Sequence, residues 1–164
     1  ALAQPQVAVH RDWMPRNLMV CAGGFPANPG ILDFQDAVRG PVTYDLASLL
    51  RDAFIDWDEA QELDWAVRWW QQARRDGVPL GEELAADFGE FWRALEWMGL
   101  QRHLRVMGIF CRLEHRDGKP HYAQDLPRFL RYATRVALRY GPLKPLLTLL
   151  EPMSGQRVDS GFTF

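Results

Sequence analysis

Eight consecutive residues near the start of the chain, His10-Arg11-Asp12-Trp13-Met14-Pro15-Arg16-Asn17, place a carboxylate and a carboxamide five positions apart. Asp12 has the chemistry to orient a hydroxyl and accept its proton. Asn17 offers a neutral, hard oxygen suited to magnesium, and it adds no negative charge beside phosphates. Sixteen positions beyond Asn17 comes Asp33, within Ile31-Leu32-Asp33-Phe34-Gln35-Asp36. A carboxylate leaving an apolar strand is placed to bind magnesium that bridges the terminal phosphates of a nucleotide. On this reading the strand buries Ile31 and Leu32 and aims Asp33 into a cleft. Asp12 as base, with Asn17 and Asp33 as metal ligands, would suit phosphoryl transfer to an alcohol. Asp36 either adds a carboxylate near the metal or caps the turn. Pro15 restrains the loop that carries the first pair.

The spacing matters more than the triplet. His115-Arg116-Asp117 repeats the first three residues, yet Tyr122 stands five positions after its Asp and Gly118-Lys119-Pro120 follows. The second copy therefore reads as a loop between helices. Among the neighbours, Arg16 either steadies the transferring group or pairs with Asp36, and Trp13 either stacks on a sugar ring or packs inside the loop. Arg39 reads as a solvated loop charge. Trp65 and Trp69, at helical spacing with Trp57 and Trp70 nearby, read as core rather than as a carbohydrate pocket. The acidic run Asp56, Asp58, Glu59, Glu62 and Asp64 is explained by the favourable field at a helix start. Arg128, Arg131, Arg135 and Arg139 read as a solvated face, and His103 and His121 as structural.

The elements that must position these groups follow from hydrophobic periodicity. Short β-branched or apolar runs at 7–9, 18–21 and 31–34 predict strands, the last two joined by the Gly- and Pro-rich AGGFPANPG. Beyond Pro41 the pattern is helical, with helices expected at 42–54, 58–75, 81–87, 88–115, 126–140 and 143–150. Gly99 or Gly108 is expected to bend or split the longest. The tail after Pro152 is expected to fray.

Composition narrows the class. The 164 residues suit one domain, 48% of them hydrophobic and 24% charged. A net charge of −2 argues against a nucleic-acid partner. No run of 18 apolar residues is present and no signal-like start, so neither a membrane span nor secretion is expected. Cys21 and Cys111 read as separate reduced thiols, and the expected location is cytoplasmic.

HRDWMPRNLMV followed by GILDFQDAVRGPVTYDLASLLRD resembles the aminoglycoside phosphotransferase and choline kinase superfamily. The nearest group is the bacterial cell-wall amino-sugar kinases, which act on the anomeric hydroxyl of N-acetylmuramate and N-acetylglucosamine. The resemblance implies an α+β, mainly α-helical fold: the C-terminal lobe of a protein-kinase-like enzyme, with a strand–loop–strand element carrying the site. It implies ATP and Mg2+ as cofactors, Asp12 as catalytic base and Asn17 and Asp33 as metal ligands. His10, Arg11 and Asp45 fall at loop-supporting positions, Asp45 reaching the loop from the following helix. Two positions depart from relatives: Gln35 replaces the glycine of protein kinases, and Arg11 stands where many antibiotic-modifying relatives have glycine. The catalytic lobe is expected over 1–152 and a tail over 153–164, without the strand-borne Lys of an N-terminal lobe. The chain alone is accordingly expected to bind nucleotide weakly and turn over little. The expected acceptor is a cell-wall amino sugar. The alternatives are an aminoglycoside or choline-type acceptor, or a non-catalytic, pseudokinase-like binding module.

Overall fold

The computed structural model describes residues 1, 3–23, 28–52, 55–119 and 124–154. The expected helix end at Phe54, together with His121, Tyr122 and most of the C-terminal tail, lies outside them. The chain divides into two compact units, 1–99 and 100–164.

The first unit opens with strands. β1 (Gln6–Val9) leads through a 3₁₀ turn, Pro15–Asn17, into β2 (Leu18–Met19). β3 (Gly30–Ile31) and β4 (Val38–Pro41) follow. β2 pairs antiparallel with β3, Leu18 opposite Ile31, as the expected strand–loop–strand. β4 pairs antiparallel with β1, Val9 opposite Val38 and Val7 opposite Gly40. This second pairing was not anticipated, because Val38-Arg39-Gly40-Pro41 carries two residues that usually interrupt strands. Gly40 is there for proximity: a Cβ at this position would lie 2.7 Å from Val9 Cγ2. Pro41 closes the strand, where a missing N–H is tolerated.

Four helices of the mainly helical chain complete the unit or begin in it. α1 (Tyr44–Leu50) is shorter than the expected 42–54, because Val42 and Thr43 form a turn and Arg51 already leaves helical geometry. α2 (Glu59–Arg75) starts where expected, with the Asp58 carboxylate accepting from the Ala60 amide as an N-cap. α3 (Glu82–Ala86) is a single turn and a half entered through Gly81 at φ 76. α4 (Phe88–His115) runs unbroken through both Gly99 and Gly108. Leu46, Ala47 and Leu50 of α1 pack with Ala66, Trp70 and Ala73 of α2 and with Phe91, Leu95 and Met98 of α4. Trp70 pairs its indole N–H with the Leu84 carbonyl at 2.7 Å, so burying this large ring strands no polar group. Trp69 stacks on Phe91 and Trp65 meets Trp57 edge-on. Both rings pack against the core, as the spacing suggested.

The second unit comprises the end of α4, α5 (Leu126–Arg139), a 3₁₀ stretch at Gly141–Leu146 and α6 (Leu147–Ser154). His103 is buried and stacks on Tyr132, 4.9 Å between ring centres, and meets Phe129 in a T-shaped contact. It is a core histidine. Of the four α5 arginines only Arg131 and Arg139 are exposed. Arg128 and Arg135 are half-buried and lie over the rings of Phe129 and Tyr132. The expected solvated face is therefore partly a packing face, with two guanidinium groups set over aromatic rings. His115-Arg116-Asp117 ends α4 and enters an exposed turn with Gly118 at φ 64, as expected for a loop. No helix among the described residues is long and apolar enough to cross a membrane.

Phe91 has no exposed surface. Phe91→Ala is expected to lower unfolding stability by about 3–5 kcal/mol through lost contacts and a residual cavity. Leu63→Ala, at a 41% exposed position, should change it by less than about 1 kcal/mol. Urea denaturation of the two variants checks the contrast.

Candidate active site

β1 delivers the chain to His10, and there its direction changes. Arg11 adopts φ 77, a left-handed conformation that costs a non-glycine residue about 1–2 kcal/mol. What holds it there comes from 34 residues away. Asp45, in the first turn of α1, accepts the backbone N–H of His10 at 2.6 Å on one oxygen and that of Arg11 at 2.9 Å on the other. Ser48, one turn further along α1, has its hydroxyl 3.3 Å from the Arg11 carbonyl and 3.2 Å from the Tyr44 carbonyl of its own helix, and its single proton serves one of them at a time.

His10 ties this turn to the second part of the site. Its Nε2 lies 2.8 Å from the Leu32 carbonyl, so Nε2 carries the proton and donates. His10 is buried, and Trp13 meets its ring edge-on with centres 5.6 Å apart. Trp13 also lines an apolar cavity of about 450 Å³ with Val9, Leu46, Leu49 and Trp69. The indole is half-buried and packs beneath the loop.

Asp12 and Asn17 are joined by the loop's own bonding. The Asn17 amide Nδ2 donates to the Asp12 carbonyl at 2.8 Å, and the 3₁₀ turn is closed by the Asn17 N–H on the Met14 carbonyl. Asn17 is buried and Asp12 half-buried. Because Nδ2 is committed to the backbone, the side-chain oxygen of Asn17 is turned the other way. Asn17 also accepts, through its main-chain carbonyl, the Leu32 N–H at 2.9 Å. Two hydrogen bonds therefore meet Leu32 from the 10–17 segment, His10 on its carbonyl and Asn17 on its amide. Asp33 follows immediately.

Asp33 lies two residues past the end of β3, at φ 64, and is exposed. The Gln35 amide donates to its Oδ1 at 2.6 Å, leaving Oδ2 for another partner. Ile31 and Leu32 are 45% and 47% exposed, which corrects the expectation that the strand buries them. β3 is only two residues long, and both apolar side chains remain on the surface with Met19, Val20 and Phe34. Asp36 is exposed and its carbonyl accepts from the Arg11 guanidinium at 3.5 Å. Arg16 is exposed on the 3₁₀ turn. Among the described residues no three His, Cys, Asp or Glu side chains cluster as a ready-made metal site. The donors available here are one carboxamide oxygen and one carboxylate oxygen, both hard and both left open by the bonding just described. That set fits a magnesium ion that completes its shell with phosphate and water oxygens.

Two contributors escaped the sequence reading. Gln35 was noted only as a departure from glycine. Gln4 was not noticed: its side chain accepts from the Thr43 hydroxyl at 2.6 Å and donates to the Ala94 carbonyl, tying the chain before β1 to the turn before α1. No motif signals such a glutamine.

A loop is thus turned by a helix-borne carboxylate, closed by an Asn, and tied to the residue before an Asp that follows a strand. Residues 1–78 match the phosphotransferase enzyme family, which bears out the resemblance read from the motifs. Nearly the whole chain is also similar to bacterial amino-sugar kinases. It is 54% identical to an N-acetylmuramate/N-acetylglucosamine kinase of Neisseria meningitidis serogroup B, over 99% of this chain and 47% of that protein. It is 51% identical to the enzyme of the same name from Pseudomonas putida, over 96% of this chain and 44% of that protein. A Caulobacter vibrioides protein of that name is 35% identical over 79% of this chain. The chain spans about half the length of the first two relatives.

Asp45→Ala removes the acceptor of two main-chain amides at once. It should lower unfolding stability by about 2–3 kcal/mol, the scale of charge-assisted hydrogen bonds whose donors are left unmet. Denaturant titration, compared with Asp64→Ala at an exposed position of α2, measures the difference.

Proposed function

We propose that this chain is the catalytic lobe, over residues 1–152, of an ATP- and Mg2+-dependent kinase that phosphorylates a hydroxyl of a cell-wall amino sugar. The observation that carries the proposal is the joined geometry of two segments: the turn before Asp12 is fixed by Asp45, and the residue before Asp33 is fixed by His10 and Asn17. Independent loops would not need such ties; a base and a metal ligand that must face one phosphate do. The names of the relatives support the acceptor class.

In the proposed reaction Asp12 accepts a hydrogen bond from the acceptor hydroxyl and takes its proton as the oxygen bonds to the γ-phosphorus. The bond from that phosphorus to the bridging oxygen breaks, and ADP departs. Asn17 through its side-chain oxygen and Asp33 through Oδ2 would hold Mg2+, which neutralises charge on the terminal phosphates. Gln35 keeps Asp33 from rotating away. Arg16, exposed beside Asn17, is assigned to the outer phosphate oxygens. Met19, Ile31, Leu32 and Phe34 present apolar surface on β2, β3 and the loop that follows, and we assign it to the nucleotide base. Trp13 is assigned to supporting the loop from below, since it packs on His10. Catalysis of this kind is positioning and charge neutralisation, so small displacements of the loop should be costly.

The test is a chimera in which residues 1–164 replace the matching segment of the Neisseria meningitidis relative. ADP release is followed with N-acetylmuramate, N-acetylglucosamine, an aminoglycoside and choline as acceptors. Turnover is expected with the amino sugars, and little with the isolated chain. Asp12→Asn should lower kcat on the order of a thousandfold while sparing nucleotide binding. Asp33→Ala should abolish Mg2+-dependent nucleotide binding. Full turnover in both variants would overturn the role assignment, and turnover only with choline or an aminoglycoside would overturn the acceptor.

A further inference from the structure

α1 is seven residues long, about 10 Å, too short to hold its own direction in water. Yet it carries Asp45 at one end, and on the placement of Asp45 the turn at His10 and Arg11 depends. Arg51 stands at the other end, six residues further on, and it is 5% exposed. Its guanidinium lies 3.0 Å from Glu62 of α2 and 3.6 Å from Glu96 of α4, and neither carboxylate side chain is exposed. Three positions of α4 shape the slot around it. Trp92 offers its ring 5.8 Å from the Arg51 Cζ, Glu96 its carboxylate, and Gly99 an empty space. A Cβ on Gly99 would come within 3.2 Å of Arg51 Cγ. This glycine therefore neither bends nor splits α4; it admits an arginine.

Apolar packing of Leu46, Ala47 and Leu50 would hold α1 against the core with some freedom to slide. Both ion pairs run to one guanidinium nitrogen, Nη2, so carboxylates from two other helices converge on a single point of Arg51 and fix its place. Burying such ions is a poor way to add stability compared with an apolar filler. Its particular return is register.

We propose that Arg51, with Glu62 and Glu96, is a positioning device for the loop that carries Asp12, acting through α1 and Asp45. Arg51 fixes the far end of α1 in rotation and along its axis, so that both Asp45 oxygens meet the two amides. The inference deepens the kinase reading by naming what sets the base, but its test needs neither nucleotide nor acceptor.

Hydrogen exchange of this chain, read by mass spectrometry, is the experiment. In Arg51→Lys the charge remains, but both contacts run to the terminal guanidinium nitrogen Nη2, and the shorter lysine side chain offers no planar fork in its place. Exchange of the amides at residues 10–12 is expected to rise about tenfold, while the middle of α2 stays within about twofold of the parent. Glu96→Gln, which weakens the longer contact, should raise loop exchange about threefold. Asp45→Asn should reproduce the loop signature, and Asp45→Asn/Arg51→Lys should exchange there no faster than Asp45→Asn alone, because both act on one linkage. A merely structural role would instead raise exchange across α2 as much as at the loop, and that outcome overturns the proposal. So does loop exchange within twofold of the parent in both single variants, or additive loop effects in the double variant. Should Arg51→Lys fail to fold, Glu96→Gln decides by the same criteria. In the chimera, the same two variants should lower kcat about tenfold with acceptor KM changed less than threefold. An inactive parent chimera would count against the kinase reading and leave the exchange result standing.

Discussion

One carboxylate receiving two consecutive backbone amides sets the geometry on which the site depends. The amides of His10 and Arg11 can converge on one acceptor only because Arg11 is left-handed, and Arg11 can stay left-handed only because the acceptor is there. An ionised carboxylate suits the task because it has acceptor capacity on two oxygens and donates nothing. Its place at the N-terminal turn of α1 is consistent with the helix field, which favours negative charge. From that point the loop can go to one place. Asp12 follows the turn, the Asn17 amide closes back on the Asp12 carbonyl, and His10 and Asn17 both reach Leu32. Each bond is ordinary; the constraint lies in their sharing a few residues.

The parts of this arrangement that were legible in the sequence are those encoded by local spacing. Asp12 with Asn17 and the distant Asp33 stood out because the residue types are chemically apt and their separations are short or flanked by strands. The 88–115 helix was readable to its ends because an apolar face recurs along its length without a proline. Asp45 was reached through resemblance, since nothing in Tyr44-Asp45-Leu46 announces that the carboxylate points away from its own helix toward a turn 34 residues back.

What was not legible depended on partners remote in sequence. Glu62 belonged to an acidic run that a helix start explains well enough, and only the fold shows it fully buried beside Arg51. Arg51 itself was not singled out by any motif or spacing. β4 was hidden by Gly40 and Pro41, whose usual meaning is interruption, because the close approach of Val9 is invisible before the strands are paired. The exposure of Ile31 and Leu32 teaches the same lesson from the other direction. An apolar run predicts a face that favours burial, but it does not say what covers it.

Gln35 shows how the same local demand can be met without glycine. In a kinase-like metal loop a glycine after the Asp-Phe pair supplies backbone freedom, which lets the carboxylate occupy more than one orientation. Here the unusual backbone conformation is taken by Asp33 itself, at φ 64. Asp tolerates that region better than most residues because its short polar side chain can bond locally. Two positions on, the Gln35 side chain supplies a local partner at 2.6 Å. The bond leaves Oδ2 open, limits rotation of the carboxylate, and removes the need for a flexible residue at position 35. Together with the two hydrogen bonds on Leu32, it makes Asp33 a group held on both sides along the chain. Such a loop keeps one arrangement by short-range bonding and does not require a second one.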